Sequence, residues 1–313
     1  MSTIPEFGIL ALAALGLLLV ATLIGEWLQA QFSPEGEHPE VEAYMSRIHS
    51  WWGMALLLGL ASLFGRPGLI VLFALISFAA LREFLSLTAK RRADHWALVT
   101  AFFVILPVQY GLIWIDWYGM YSIFVPVYAF LFLPMVSVLR GDTDRFLMRV
   151  AETQWALMIC VFAGSHIPAL LALPIEGFEG RNLLLVIFLV LVVQLADVLS
   201  YVAGKFLGRH PVAPGLSPSK TREGFGVAIL AGAVIGAGLS WMTPFGLLGS
   251  AGLGLVVAAL GLMGGLVMSA IKRDKGVRDW GHLMAGHGGF IDRLDGVVFA
   301  APVFFHLVRY GWT

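Results

Sequence analysis

Ten apolar stretches, at about 8–30, 50–64, 68–86, 96–114, 118–138, 152–173, 182–203, 225–242, 250–271 and 297–310, divide this chain, and most carry almost no charge. About 20 residues of α-helix cross a hydrocarbon core of ~30 Å, so these runs have the length and polarity of membrane spans. Inside a bilayer only helices and closed barrels satisfy their own backbone, and the runs lack the period-2 alternation of a barrel strand. With 59% hydrophobic against 13% charged residues among 313, no soluble domain is accommodated. The expectation is an all-α, polytopic integral membrane protein with about nine or ten transmembrane helices. Residues 1–150 supply helices, and 151–313 carry the polar motifs; one structural domain is the economical organisation. The opening "MSTIPEFGIL" has no basic n-region, so the first run reads as a retained helix rather than a cleaved signal. A lone cysteine, Cys160, excludes an internal disulfide or a cysteine-based zinc site and reads as a small core residue.

The charges fix an orientation. If the segments after the third, fifth, seventh and ninth runs share one side, that side holds 17 of the 20 Lys and Arg residues, leaving Arg66, Arg181 and Arg309 opposite. By the positive-inside rule the basic side is cytoplasmic, and both termini lie outside. The acidic segment 31–50 also faces the cytoplasm, as a loop or an amphipathic surface segment. A multi-pass protein of the inner (plasma) membrane is expected. The formal net charge is zero, with nothing pointing to nucleic acid as a partner. Gly232 and Gly236, and likewise Gly261 and Gly265, stand four apart in the eighth and ninth runs, a spacing that lets membrane helices approach closely.

Three segments on the basic side combine groups suited to phosphate chemistry. Asp197 falls near the end of an otherwise apolar run, where a carboxylate is expensive unless it meets a cavity, a cation or a metal. The segment "GRHPVAPGLSPSKTREGFG" (208–226) holds three prolines and four glycines and reads as an irregular loop. It lacks the spacing of a P-loop. Ser217 or Ser219 is placed to cap the following helix, with Glu223 in its first turn, but capping leaves Lys220 unexplained. The third, "SAIKRDKGVRDWGHLMAGHGGFIDRLDG" (269–296), packs nine of the chain's 40 charged side chains into 28 residues. Lys272, Arg273, Lys275 and Arg278 form a basic arm that neutralises phosphate charge. Asp279, Asp292 and Asp295 are acids set among them, and Asp292 and Asp295 share a face if helical. Such ligation suits Mg²⁺, which binds through one or two carboxylates plus substrate phosphates. "GHGG" (286–289) offers bare backbone to phosphate oxygens. Metal-assisted phosphoryl or nucleotidyl transfer beside a lipid surface follows from these groups.

The same residues resemble a known family. "SAIKRDKGVRDWGHLMAGHGGFIDRLD" is similar to the C-terminal signature of the phosphatidate cytidylyltransferases, S-x-x-K-R, four residues, K-D, then H-G-G-x-x-D-R-x-D. "DVLSYVAGKFLGRHPVAPGLSPSKTREG" resembles that family's upstream segment through Asp197, Tyr201, Gly204, Gly208, His210, Ser217, Pro218, Lys220, Thr221, Glu223 and Gly224. The matches cover about the last 120 residues. The resemblance implies that CTP and phosphatidate give CDP-diacylglycerol and pyrophosphate with Mg²⁺. It implies that Asp292, Asp295 and Asp279 hold metal, with Asp197 helping to build the metal or nucleotide pocket. Lys272, Arg273, Lys220 and the GHGG backbone would clamp phosphates. Ser217, Thr221, Glu223, Ser269, Arg278, His287, Gly288, Gly289 and Arg293 complete the expected substrate-binding set.

This chain departs from the pattern at four positions. Gly265 stands where family members carry a metal-site Asp, and Met268 where they carry Glu. Arg278 replaces Lys, and Arg222 replaces Trp. Two further readings therefore stay open: a cytidylyltransferase acting on another lipid phosphate, and a weakly catalytic member that binds nucleotide or lipid as a partner. A transporter would place ionisable groups at mid-membrane; here the polar groups bunch at one face, and the clearest mid-span exception, His166, reads as a core histidine. Membrane lipids are implied as surroundings, and a homodimer is compatible with the sequence.

Overall fold

Backbone that cannot bond to water must bond to itself, and every apolar stretch duly becomes a helix. A computed structural model of the protein describes residues 5–32, 39–88, 91–281 and 289–313. Among them are ten helices: α1 (Pro5–Phe32), α2 (Pro39–Leu63), α3 (Gly65–Ser86), α4 (Arg92–Trp114), α5 (Tyr118–Val138), α6 (Phe146–Ala172), α7 (Leu183–Leu207), α8 (Arg222–Gly238), α9 (Gly246–Asp274) and α10 (Ile291–Trp312). Seven of these, α1, α3, α4, α5, α6, α7 and α9, are long and apolar enough to cross a membrane. Of the others, α8 has 17 residues, and α10 has 22 but carries Asp292, Arg293, Asp295 and Arg309. Segment 39–49 of the acidic stretch is helical, the beginning of α2 rather than a loop.

The one departure from an all-helical chain falls in the segment read as irregular. Pro211–Ala213 (β1) and Ser217–Thr221 (β2) pair antiparallel, with Pro211 opposite Thr221 and Ala213 opposite Ser217. The expected serine cap is also replaced: Thr221 caps α8, its Oγ1 accepting the Gly224 N–H at 3.1 Å. Ser217 and Ser219 lie within β2, so neither reaches the helix end.

Small residues set the packing. A Cβ on Gly232 would stand 2.4 Å from Ala258 Cβ, and one on Gly236 2.2 Å from the Ser250 carbonyl, so α8 and α9 touch backbone to backbone. The facing residues on α9 are Gly254 and Ala258, not the expected Gly261 and Gly265. Gly261 instead meets Val193 of α7 and Gly296 of α10. The α7–α8 contact is equally close, because a Cβ on Gly224 would lie 2.5 Å from the Ser200 carbonyl. Thus α7, α8, α9 and α10 form one tight group. Large apolar side chains such as Leu63, Phe64, Leu230 and Leu248 remain on the outside, the surface a lipid phase requires.

Polar ties gather at one end of the bundle. Arg149, at the start of α6, is buried and donates to Asp94 at 3.0 Å; Arg91 pairs with Asp144. Lys275, just past α9, donates to Glu152 of α6 at 2.6 Å. That bond, first among its causes, raises the ammonium above its ordinary value. His166 is the expected core histidine, fully buried with Nδ1 2.8 Å from the Phe162 carbonyl. Cys160 is likewise buried in the core.

Candidate functional site

The C-terminus of α9 and the N-terminus of α10 meet at this polar end, joined by one buried ion pair. Lys272 Nζ donates to Asp292 Oδ1 at 2.9 Å, with the side chains 15% and 7% exposed. The other carboxylate oxygen, Oδ2, accepts the N–H groups of Trp280 and Gly289, each at 3.0 Å. Asp292 therefore holds the segment that links the two helices at Trp280 and at Gly289. Three donors on one carboxylate, two of them backbone, make it a structural knot as well as a charge.

Three residues further along the same helix, Asp295 stands differently. Among the described residues its Oδ1 accepts only the adjacent Gly296 N–H, at 2.7 Å. Its charge is felt by Lys272, Lys220 and Asp197, so the three segments singled out in the sequence converge on it. Asp197 on α7 is exposed and makes no hydrogen bond or ion pair among the described residues. Lys220, on β2, lies over α9, where a Cβ on Gly265 would stand 3.0 Å from its Nζ. The absence of a side chain at Gly265 is what gives the ammonium its place. Lys220 has no carboxylate at ion-pair distance among the described residues.

Contacts that are visible in the sequence only as a pattern seat the hairpin. Gly204 and Gly208 let the Thr221 side chain lie against the end of α7; a Cβ on Gly208 would be 2.6 Å from Thr221 Cγ2. Glu223 Oε1 lies 2.6 Å from His210 Nδ1, and Oε2 accepts the N–H groups of Arg209 and His210. The His210 imidazole, ahead of the backbone amides, holds the Glu223 carboxyl down to about 2. Arg273 donates to the Leu216 carbonyl at 3.4 Å, tying α9 to the hairpin turn.

Other expected residues sit farther from this focus. Asp279 and Arg278 are exposed beyond α9. Ser269 Oγ donates to the Gly265 carbonyl at 2.7 Å within its own helix. The Arg293 carbonyl accepts from Gln194 of α7 at 3.5 Å. Gly289 is placed as a donor to Asp292, whereas His287 and Gly288 lie outside the described residues. The sequence reading missed Glu83, a buried carboxylate of α3 that accepts the Ile291 N–H at 3.2 Å, and its neighbour Phe84, which stacks on Trp280 at 4.8 Å. A lone acid in "FALISFAALREFLSL" was the available signal.

Among the described residues no three His, Cys, Asp or Glu side chains come close enough to hold a metal by themselves. With Asp292 committed to three donors, Asp295 and Asp197 retain free oxygens. Two carboxylates completed by phosphate oxygens are the donor set Mg²⁺ ordinarily takes, so these residues fit that ion.

Comparison with known proteins places this geometry in context. The cytidylyltransferase family model matches residues 45–311, reaching far into the N-terminal half where the motifs alone do not. The chain is 39% identical over 300 residues to the uncharacterized protein YnbB of Escherichia coli (strain K12), covering 94% of this chain and 95% of that one. It is 40% identical over 115 residues to the phosphatidate cytidylyltransferase of Aquifex aeolicus, and 38% over 160 residues to that of Synechocystis. The chain spans about half the length of these two, 43% and 53% respectively, while 37% and 46% of this chain is covered.

Proposed function

This chain belongs to the cytidylyltransferase family, and from that premise we propose that it transfers the cytidylyl group of CTP to phosphatidate. A phosphate oxygen of the lipid attacks the α-phosphorus of CTP, the bond from that phosphorus to the β-phosphate bridge breaks, and pyrophosphate departs. The products are CDP-diacylglycerol and pyrophosphate. The attacking group is a phosphate monoester, largely dianionic at neutral pH, so no general base is required.

One observation carries this reading: Lys220, Lys272, Asp295 and Asp197, from four different elements, share a small region at the end of α7 and α9. Two polyanions repel, and bringing them together calls for fixed cations beside a lipid-facing surface. Lys220 and Lys272 provide two. Asp197 and Asp295 would hold Mg²⁺ together with phosphate oxygens, and the ion would neutralise charge as the pyrophosphate leaves. Asp292 keeps Lys272 and the backbone at Trp280 and Gly289 in register around that point. The 17-to-3 asymmetry of basic residues supports a cytoplasmic site, where CTP is reached directly.

Purified protein in detergent, given labelled CTP, Mg²⁺ and phosphatidate, is expected to form CDP-diacylglycerol and lose that activity with EDTA. Turnover only with a different lipid phosphate would reassign the acceptor. Gly265 favours a second reading, since it stands where the family pattern that the sequence resembles has a carboxylate. CTP binding without turnover, with activity appearing on Gly265→Asp, would support a nucleotide-binding partner instead.

A further inference from the structure

α10 begins without a cap of its own. Phe290 occupies the N-cap position and supplies no side-chain hydrogen bond, although the first amides of any helix need acceptors. The acceptor comes from another part of the chain. Glu83, in the last turn of α3, presents Oε2 to the Ile291 N–H at 3.2 Å.

Glu83 is only 4% exposed, and no cation stands at ion-pair distance from it among the described residues. Its Oε1 is buried with no hydrogen-bond partner there. A carboxylate in that position costs stability that a leucine would not, so packing gives no reason for it. Space has nevertheless been cleared for it. A Cβ on Gly289 would stand 2.4 Å from Oε2, and one on Gly281 would stand 3.0 Å from Oε1. The next residue, Phe84, stacks on Trp280 with rings inclined at 23°. The last turn of α3 thus grips the Trp280 side and the Ile291 side of the linking segment, and Asp292 bonds between the same two sides.

We propose that Glu83 is a positioning residue: it caps α10 from α3 and so fixes where Asp292 and Asp295 stand. This rests on the reading that those carboxylates serve nucleotidyl transfer. The N-terminal half of the chain then contributes to the chemistry through one hydrogen-bonded carboxylate, without touching substrate. A negative group at a helix N-terminus also complements the positive end of the helix dipole, which an apolar substitute cannot do.

The test uses full-length protein in detergent and three variants: Glu83→Leu, Glu83→Gln and Gly281→Ala. Glutamine keeps an acceptor for Ile291, and the alanine crowds the carboxylate while leaving it in place. Displacement of a reacting group by about 1 Å costs up to ~100-fold in rate, so Glu83→Leu is expected to lower kcat about 10- to 100-fold, and Gly281→Ala, which shifts the carboxylate by a few tenths of an ångström, by about three- to tenfold. KM for CTP and phosphatidate should stay within about threefold, and Glu83→Gln should lie within about threefold of the parent kcat. A parent kcat in Glu83→Leu, a loss confined to KM, or a glutamine variant as slow as the leucine one would overturn the proposal. If Glu83→Leu fails to fold, the glutamine and Gly281→Ala results decide by the same criteria. Hydrogen exchange gives a readout independent of turnover: amides 290–293 should exchange at least about tenfold faster in Gly281→Ala than in the parent, with α9 unchanged. Unchanged exchange refutes the cap. Absent turnover in the parent protein, beside a positive exchange result, refutes the proposed reaction and leaves the cap standing.

Discussion

Replacing Asp292 and Asp295 separately by alanine distinguishes a carboxylate that builds the site from one that serves it. Asp292→Ala removes three hydrogen bonds, at 2.9, 3.0 and 3.0 Å, and strands Lys272, which is 15% exposed. Removing one partner of a buried pair costs about 3–5 kcal/mol, because the remaining charge is left uncompensated. For a chain of this size each kcal/mol lowers the unfolding midpoint by about 2 °C, so a fall of roughly 6–10 °C is expected. Asp295→Ala forfeits, among the described residues, the local Gly296 N–H contact alone and should cost less than about 1 kcal/mol. Both variants should lose turnover. The assay is thermal unfolding in detergent, run beside the labelled-CTP assay on the same preparations. Adding Lys272→Met to Asp292→Ala should recover part of the lost stability by removing the stranded ammonium. Equal midpoints for the two alanine variants, or an undiminished midpoint for Asp292→Ala, would refute the division of labour.

Three other outcomes test separate parts of the structure. Lys220→Met should raise KM for CTP about 10- to 100-fold, the worth of a charge-assisted hydrogen bond of ~1.5–3 kcal/mol, and an unchanged KM would remove Lys220 from the phosphate site. Gly236→Val should destabilise by about 1–3 kcal/mol or more, because its Cβ would meet the Ser250 carbonyl, whereas Gly252→Val, with open space around it, should be near neutral in the same unfolding assay. The Glu223 carboxyl should titrate near 2 by carbon-13 NMR, and His210→Ala should move it up toward 4.5. Because the folded value is depressed, this tie between hairpin and α8 is fully present above pH 4.5 and is lost as the pH falls through 2; a midpoint of 4 or higher in the parent would contradict the geometry.

The sequence alone determined the membrane-spanning class and the positions of the helices, because hydrocarbon tolerates only self-bonded backbone and about 20 residues must cross it. It also marked Asp197, Lys220, Lys272, Asp292 and Asp295, since charge is conspicuous against apolar surroundings. Partnership was beyond its reach. The α8–α9 contact runs through Gly254 and Ala258 because a small residue shows where backbones can approach, not which backbone arrives. The same limit hid the pairing of β1 with β2, whose hydrogen bonds depend on register across a turn rather than on composition. Glu83 shows it most plainly: 208 residues separate it from the Ile291 amide it accepts, and only the packing of α3 against α10 turns a lone acid into a cap. Local chemistry is written along the chain, whereas which groups face each other is fixed by the few arrangements in which all the helices bury their small faces together.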